Sequence, residues 1–490
     1  YAYTVDASAK TYYNASEKAL YLYSVSGIGG NTGSSAAFND MFGNTNTLTI
    51  VGSSVADTIS LPPTRGPGDT APTVIGGYFL VKAGDGDDTL TTSASYVLTL
   101  ASNDSVDMGA GDDTVEIKNG ISTLASSNIV KLDGGVGSDT LDFGQHSAST
   151  VALTLTIGGA TNFENLKGTP GAETITGDAN DNALAGWGGL DTIYGLAGDD
   201  HLSAYIDSSS EPSGCGTSAN ATDTSNDKLY GGAGDDTLCG STGDNTLDGG
   251  TGKDTITSFD GSDTIVIRSG DGSTDIANAD ILTDFTDGSD VIGMSGITFD
   301  ELTIAQGSGD YASHTLISVT GTGEYLLVLQ NTTASNVTVV DFVLNTTTAQ
   351  TLSGNNSNNT LIGGLGGDSI TTGAGNDDVY AHAGDDAITV DGAGIKTIDG
   401  GTGTDSLTIS YTGITGLSDF TVSENGDYIV LTDSSGNSVS YKNIESLTVG
   451  SYAYTVDASA KTYYNASEKA LYLYSVSGIG GNTGSSAAFN

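Results

Sequence analysis

The sequence predicts an all-β chain, a right-handed parallel β-roll or β-solenoid with interspersed β-sandwich-like modules, and three observations carry that expectation. Aliphatic residues recur every nine positions in three separate runs, Gly and Asp fill the intervals between them, and 71 of the 490 residues are Gly against only 6 Pro. A nine-residue spacing with single aliphatic centres matches neither the 3.6-residue period of an amphipathic helix nor a long alternating strand. It fits very short strands joined by tight, repeated turns.

The first run is Leu166, Ile175, Leu184, Ile193 and Leu202, the second Leu229, Leu238, Leu247, Ile256 and Ile265, and the third Leu352, Leu361, Ile370, Val379 and Ile388. Two positions before most of these stands an acid or Asn, as in GGAGDDTLC (231–239), GGTGKDTIT (249–257) and GGLGGDSIT (363–371). Six residues rich in Gly and Asp suit a turn that needs positive φ and bare backbone. The next three make a strand whose central aliphatic points inward. One nonapeptide is then half a coil, and an acid at position n lies one rung, about 4.8 Å, from the acid at n+18.

Two carboxylates roughly 5 Å apart repel by about 0.8 kcal/mol in bulk water and about 3 kcal/mol at an effective dielectric of 20. A stack of such pairs needs a cation to close. A hard divalent ion that accepts six or more oxygens, from carboxylates and Gly-turn carbonyls, is calcium rather than magnesium, which keeps a smaller octahedral shell and several waters.

The pattern GGxGxDxLx, nearly intact in GGVGSDTLD (134–142) and repeated through the runs above, resembles the RTX calcium-binding repeats of proteins exported by bacterial type I secretion. The resemblance covers roughly half the chain. It implies that turn carbonyls and the Asp of each repeat bind calcium between stacked turns, roughly ten ions in all. The implied ligands are Asp57, Asp88, Asp113, Asp139, Asp191, Asp200, Asp227, Asp236, Asn245, Asp254, Asp263, Asn359, Asp368, Asp377, Asp386 and Asp405. Where Glu173, Asn182, Asn245 or Asn359 stands in the Asp position, a weaker site is expected.

In chain order, residues 1–50 form a Tyr-rich segment and 51–165 a solenoid of longer coils. There Asp88, Asp113, Asp139 and Glu164 step by 25 or 26 residues, and strands such as VLTL (97–100) and VALTLTI (151–157) lengthen the opposite side. GSSVADTIS (52–60) is expected to start the solenoid. Residues 166–266 are the first short-coil roll, opened by TNFENLKG and interrupted by a Ser-, Gly- and Asn-rich insertion at 204–224. Residues 267–350, with DILTDFTDGSDVIGMSGITFDEL, look like the β-rich cap of such rolls. A second roll (351–408) and an antiparallel β segment (409–451) follow. Leu447 lies nine residues before Val456, which predicts that the solenoid runs on into 452–490.

Residues 1–39 recur without a change at 452–490. The simplest account is a longer polypeptide of near-identical tandem units, which also suits a chain that opens at Tyr1 without a Met or leader, an engineered duplication being the alternative. The segment carries six tyrosines and balanced charge (Lys10 and Lys18 against Asp6 and Glu17), which fits a contact surface between units or ordinary β packing equally well.

A formal charge of −46 sets nucleic acid and anionic membrane against this surface, and no apolar run reaches a membrane span. The expected partners are copies of the chain itself, and the expected place is outside the cell or on its surface. His146, His201, His314 and His382 form no metal or catalytic motif, GxSxG is absent, and the Gly-rich turns lack a phosphate-loop Lys, so no enzyme is expected. His201 and His382 are expected at the surface. Cys215 and Cys239 are compatible with one external disulfide or with two free thiols. These features point to a structural repeat of a calcium-stabilised filament, sheath or surface layer. A rod-like adhesin stalk and the non-catalytic calcium-binding region of a secreted hydrolase are the alternatives.

Overall fold

A computed structural model describes residues 78–91, 105–117, 132–144, 152–156, 160–205 and 223–457, with Ala56 and Cys215. It also describes the backbone of strands Tyr3–Asp6, Thr11–Asn14, Ala19–Tyr23, Thr47–Val51, Thr58–Ser60, Thr462–Asn465 and Ala470–Leu473. The described residues are strands, turns and single-turn 3₁₀ helices. They fall into two compact units. One comprises Tyr1–Thr264, Gly270–Phe285 and Leu327–Thr332, the other Ile265–Ser269, Thr286–Leu326 and Thr333–Asn490.

In the first unit the nonapeptides alternate between two parallel sheets. Leu90, Val115, Leu141, Leu166, Leu184, Leu202, Leu238 and Ile256 pair in unbroken register down one sheet. Leu153, Ile175, Ile193, Leu229 and Leu247 do so down the other. Each of these side chains is at most 2% exposed, and its two strand neighbours are mostly half-buried, so a three-residue strand buries only its centre. The turns depend on backbone that side chains rarely adopt. Gly234 has φ +140°, and a Cβ there would lie 1.9 Å from the Gly198 carbonyl of the neighbouring rung. Trp187, Leu196 and Phe259 hold positive φ four residues before their acids, where Gly232 stands in its own turn.

The longer coils stack as the 25-residue steps predict, but their opposite side differs from expectation. Tyr78–Asp85, Ser105–Ala110 and Leu132–Asp133 form it. VLTL (97–100) lies outside the described residues, and Ala152–Thr154 joins the short-coil sheet beside Thr174–Thr176. Parallel pairing also begins upstream of GSSVADTIS, because Ala19–Tyr23 pairs with Thr47–Val51 and that strand with Tyr78–Lys82. Beyond Thr255–Thr257 the sheet continues through Asp280–Leu282 and then Tyr325–Leu329, so part of the expected cap extends the coil.

In the second unit Val291–Ser295 pairs in parallel with Phe342–Leu344, and Leu302–Gln306 forms an antiparallel hairpin with Thr315–Val319. The second roll again has two parallel stacks. One runs through Thr351–Ser353, Ser369–Thr371, Ala387–Val390, Ser406–Ile409 and Ser446–Val449. The other runs through Thr360–Ile362, Asp377–Tyr380, Ile395–Asp399 and Ser438–Lys442. Segment 409–451 is therefore mixed: its last two strands are rungs of the roll, while Phe420–Asn425 and Tyr428–Asp433 add antiparallel strands at one edge.

The nine-residue step from Leu447 to Val456 does not continue the coil. Ser446–Val449 folds back antiparallel on Tyr452–Thr455, with Leu447 opposite Tyr454. Only Gly450 and Ser451 separate the paired residues, a hairpin-length link too short for the six-residue turn of a half-coil. The duplicated segment then makes the same three-stranded antiparallel meander at both ends, with Val5 opposite Tyr12 and Val456 opposite Tyr463.

Candidate metal sites in the turns

The turn acids form buried ladders. One carboxylate oxygen of each accepts the backbone N–H of the acid one rung earlier. Asp88 donates to Asp113 (2.7 Å), Asp113 to Asp139 (2.8 Å) and Asp139 to Glu164 (2.9 Å). In the short coils Glu173 donates to Asp191, Asn182 to Asp200, Asp191 to Asp227 and Asp200 to Asp236, all at 2.7–2.8 Å. The series continues from Asp227 to Asn245, Asp236 to Asp254, Asn245 to Asp263, and Asp254 to Asp280. In the second roll Gln350 donates to Asp368, Asn359 to Asp377, Asp368 to Asp386, Asp386 to Asp405 and Asp405 to Glu445. Asp57 lies outside the described residues.

The other oxygen is the candidate ligand. Oδ2 of Asp113, Asp139, Asp191, Asp200, Asp236, Asp254, Asp386 and Asp405 is buried and accepts no hydrogen bond. In six of them the turn opens with a glycine that faces the acid, namely Gly134, Gly186, Gly195, Gly231, Gly249 and Gly400, whereas Met108 stands there before Asp113 and Ala381 before Asp386. A Cβ on Gly231 would lie 2.3 Å from Asp236 Oδ2 and 2.6 Å from the Gly249 carbonyl one rung on, and Gly195 stands likewise toward Asp200 and the Gly231 carbonyl. The missing side chain thus leaves room into which a carboxylate oxygen and carbonyl oxygens converge.

Two internal groups mark the same cradle with positive or donor atoms. The Asn245 amide donates to the carbonyls of Gly243 (2.7 Å) and Ser241 (3.2 Å), two and four residues before it. The Lys396 ammonium donates to the carbonyls of Gly375 (2.7 Å) and Gly373 (2.9 Å) and pairs with Asp377 Oδ2, and those carbonyls too lie two and four residues before the acid. The donor set is one carboxylate oxygen and backbone carbonyls, all hard oxygen, which fits calcium. Among the described residues no three His, Cys, Asp or Glu side chains gather around one point.

Other turns satisfy their acid internally. Glu173 accepts from the Thr169 hydroxyl and N–H, Asp227 Oδ2 from Ser241, Asp368 Oδ2 from the Gly364 N–H, and Asn182 and Asn359 from the N–H groups of Asp178 and Asn355.

Burial is the first cause that raises these carboxyls, and neighbouring carboxylates add to it while the ladder bonds oppose it. Asp191 is pushed up to about 9, Asp280 to about 8, Asp200, Asp227 and Asp254 to about 7, and Asp139, Asp236, Asp386 and Asp405 to about 6. One buried aliphatic per half-coil contributes roughly 1.5–3 kcal/mol. An uncompensated buried carboxylate costs several kcal/mol. Burial of these acids thus opposes the core contribution of each half-coil, and a cation bound at the same oxygens would offset it.

A second ladder escaped sequence reasoning. The residue just before the acid bonds across rungs on the exposed side and in the opposite direction: the Asp235 N–H donates to Asp199, Lys253 to Asp235, Ser262 to Asp244 and Thr404 to Asp385. Its signal is the doubled acid of the GDD turns at 87–88, 112–113, 199–200, 235–236 and 385–386.

Cys215 and Cys239 form a disulfide. Cys239 is buried, and His201 and His382 are half-buried rather than at the surface. Trp187 packs under the Lys167 ammonium, 3.5 Å from the ring centroid, and stacks with Tyr205. No helix of the described residues is long and apolar enough to cross a membrane.

Four segments, residues 167–202, 221–247, 240–273 and 353–388, match the family profile of the RTX calcium-binding nonapeptide repeat. No curated protein matches the chain.

Proposed function

The chain carries RTX calcium-binding nonapeptide repeats, and on that premise we propose that it is a structural repeat unit of a calcium-stabilised extracellular filament, sheath or surface layer. Repeats of this kind bind calcium, are not themselves catalytic and are typical of secreted proteins. The observation that carries the structural reading is the duplicated meander. At the end of the chain its first strand pairs with the last parallel rung, Ser446–Val449. At the start its third strand pairs with the first parallel strand, Thr47–Val51. A meander covalently between two units would make both pairings at once and join their sheets head to tail.

The proposed mechanism is a folding switch. In a low-calcium compartment the buried acids keep the turns open, which suits passage through a secretion channel. Outside, at calcium near the roughly 10⁻⁴ to 10⁻³ M affinities of extracellular modules, about ten ions bind and the coils close. Circular dichroism across a calcium titration tests the switch, since full β-signal in chelator rules it out. Electron microscopy of the native assembly tests the role. Ordered filaments or lattices support it, whereas isolated cell-attached rods ending in a distinct tip assign the chain to an adhesin stalk instead.

A further inference from the structure

We infer that Lys396 is a built-in replacement for calcium at the Asp377 turn, so that this rung of the second roll closes without metal. The inference rests on reading the other turns as calcium sites. Residues 391–399, DGAGIKTID, are a nonapeptide of the same pattern with Lys where the acid belongs. The register places it there, because Lys396 lies opposite Asp377 and Thr397 opposite Asp378, and the second pair matches Thr255 opposite Thr237, each one residue past its acid. Instead of offering Oδ1 to the rung before it, the side chain reaches back into that rung. Its ammonium bonds to the Gly373 and Gly375 carbonyls and to Asp377 Oδ2. Lys396 and Asp377 are both completely buried.

An ammonium in contact with a carboxylate oxygen and the two carbonyls occupies the place where a metal would meet the same three oxygens, and the two cannot be there together. Oδ1 of Asp377 still accepts the Asn359 N–H at 2.9 Å, so the ladder is kept. One substitution removes a negative charge from the stack and supplies a tethered positive one. Asp377 is accordingly absent from the acids whose Oδ2 is buried without a partner, while Asp386 and Asp405 on the facing stack are among them. The segment also lies just past residue 388, where the last family match ends. The Asp377 rung is thereby a metal-independent clamp facing the Asp386 and Asp405 turns, whose Oδ2 atoms are left for calcium.

Three variants of the full chain test this, read by hydrogen exchange in chelator and by bound calcium per chain. Lys396→Gln should raise exchange across 377–380 and 395–399 in chelator by at least about tenfold, because a buried carboxylate loses its only cation, with no such change in the first unit. Lys396→Asp should bind one more calcium than the parent and lose the same protection in chelator. Asp254→Lys, which places a lysine in the same register opposite Asp236, should bind fewer ions and gain protection in chelator. Unchanged exchange in Lys396→Gln, or no added calcium in Lys396→Asp, overturns the inference. A parent chain that binds no calcium overturns instead the reading of the other turns, while the chelator exchange of Lys396→Gln still reports on the clamp.

Discussion

Each turn aspartate has two oxygens with separate tasks. In Asp236, Oδ1 accepts the Asp200 N–H and fixes the rung, and Oδ2 is buried beside Gly231 without a partner. Asp236→Asn keeps the first task and removes the charge from the second, and its amide can bond to the carbonyls two and four residues back as that of Asn245 does. In chelator this variant should be more stable than the parent by on the order of 1–3 kcal/mol, and in saturating calcium less stable, with one ion fewer bound. Hydrogen exchange of the rungs beside Asp236 in chelator and urea unfolding in calcium check the opposite signs; equal signs would mean that Asp236 is not a ligand. The same burial sets a pH dependence. These carboxyls rise from 3.8 to between about 6 and 9 in the metal-free fold, so that fold binds more protons than the unfolded chain. The stability they lend is full below about 3.8 and is lost as pH rises through about 6 to 9. In chelator, then, the β-signal should grow as pH falls from 9 to 5, whereas with calcium present acid should weaken the fold by competing for the same oxygens.

At the scale of the element, the nonapeptide was legible because one inward aliphatic, one buried acid and a glycine turn recur with a fixed phase, and the parallel register of Leu184, Leu202 and Leu238 follows from that phase even across the insertion. Phase alone misled where the chain changes device. Leu447 and Val456 share the nine-residue step, yet a two-residue link at Gly450 and Ser451 turns the chain back, and spacing between aliphatics does not distinguish a half-coil from a hairpin. The Lys396 rung was missed for the converse reason, a ten-residue step from Ile388 and a base in place of the acid. The carboxylate ladders were invisible because spacing places acids one rung apart without saying that a backbone N–H lies between them. The disulfide needed coordinates too, since two cysteines 24 residues apart are compatible with either state. Closing a loop of that length contributes on the order of 3 kcal/mol in the chain-entropy account. Replacing both cysteines with Ser should lower stability in calcium by up to about that amount and raise exchange chiefly in the rungs beside Thr237–Cys239, because a solenoid transmits little beyond nearest neighbours.

Across the whole molecule, a charge of −46 offers a simpler explanation of any calcium response, in which ions merely screen a repulsive polyanion. Screening and specific ligation place the ions at different carboxylates. The outer members of the acid pairs, such as Asp199 and Asp235, are exposed and accept backbone N–H groups across rungs, so ordinary salt can screen them. The inner members are buried, and their Oδ2 atoms face carbonyl oxygens inside the turn, where a diffuse ion atmosphere does not reach. At about 1 M monovalent salt the screening length is near 3 Å, enough to quench most repulsion between surface charges. If surface repulsion were what keeps the chain open, chelator with 1 M sodium chloride would restore the β-signal. If the buried oxygens are responsible, that condition should leave the far-ultraviolet signal well short of its value in millimolar calcium. Circular dichroism of the same sample before and after calcium addition decides between them, and equal signals in the two conditions would remove the turns as specific sites, leaving the acids as a charge reservoir only.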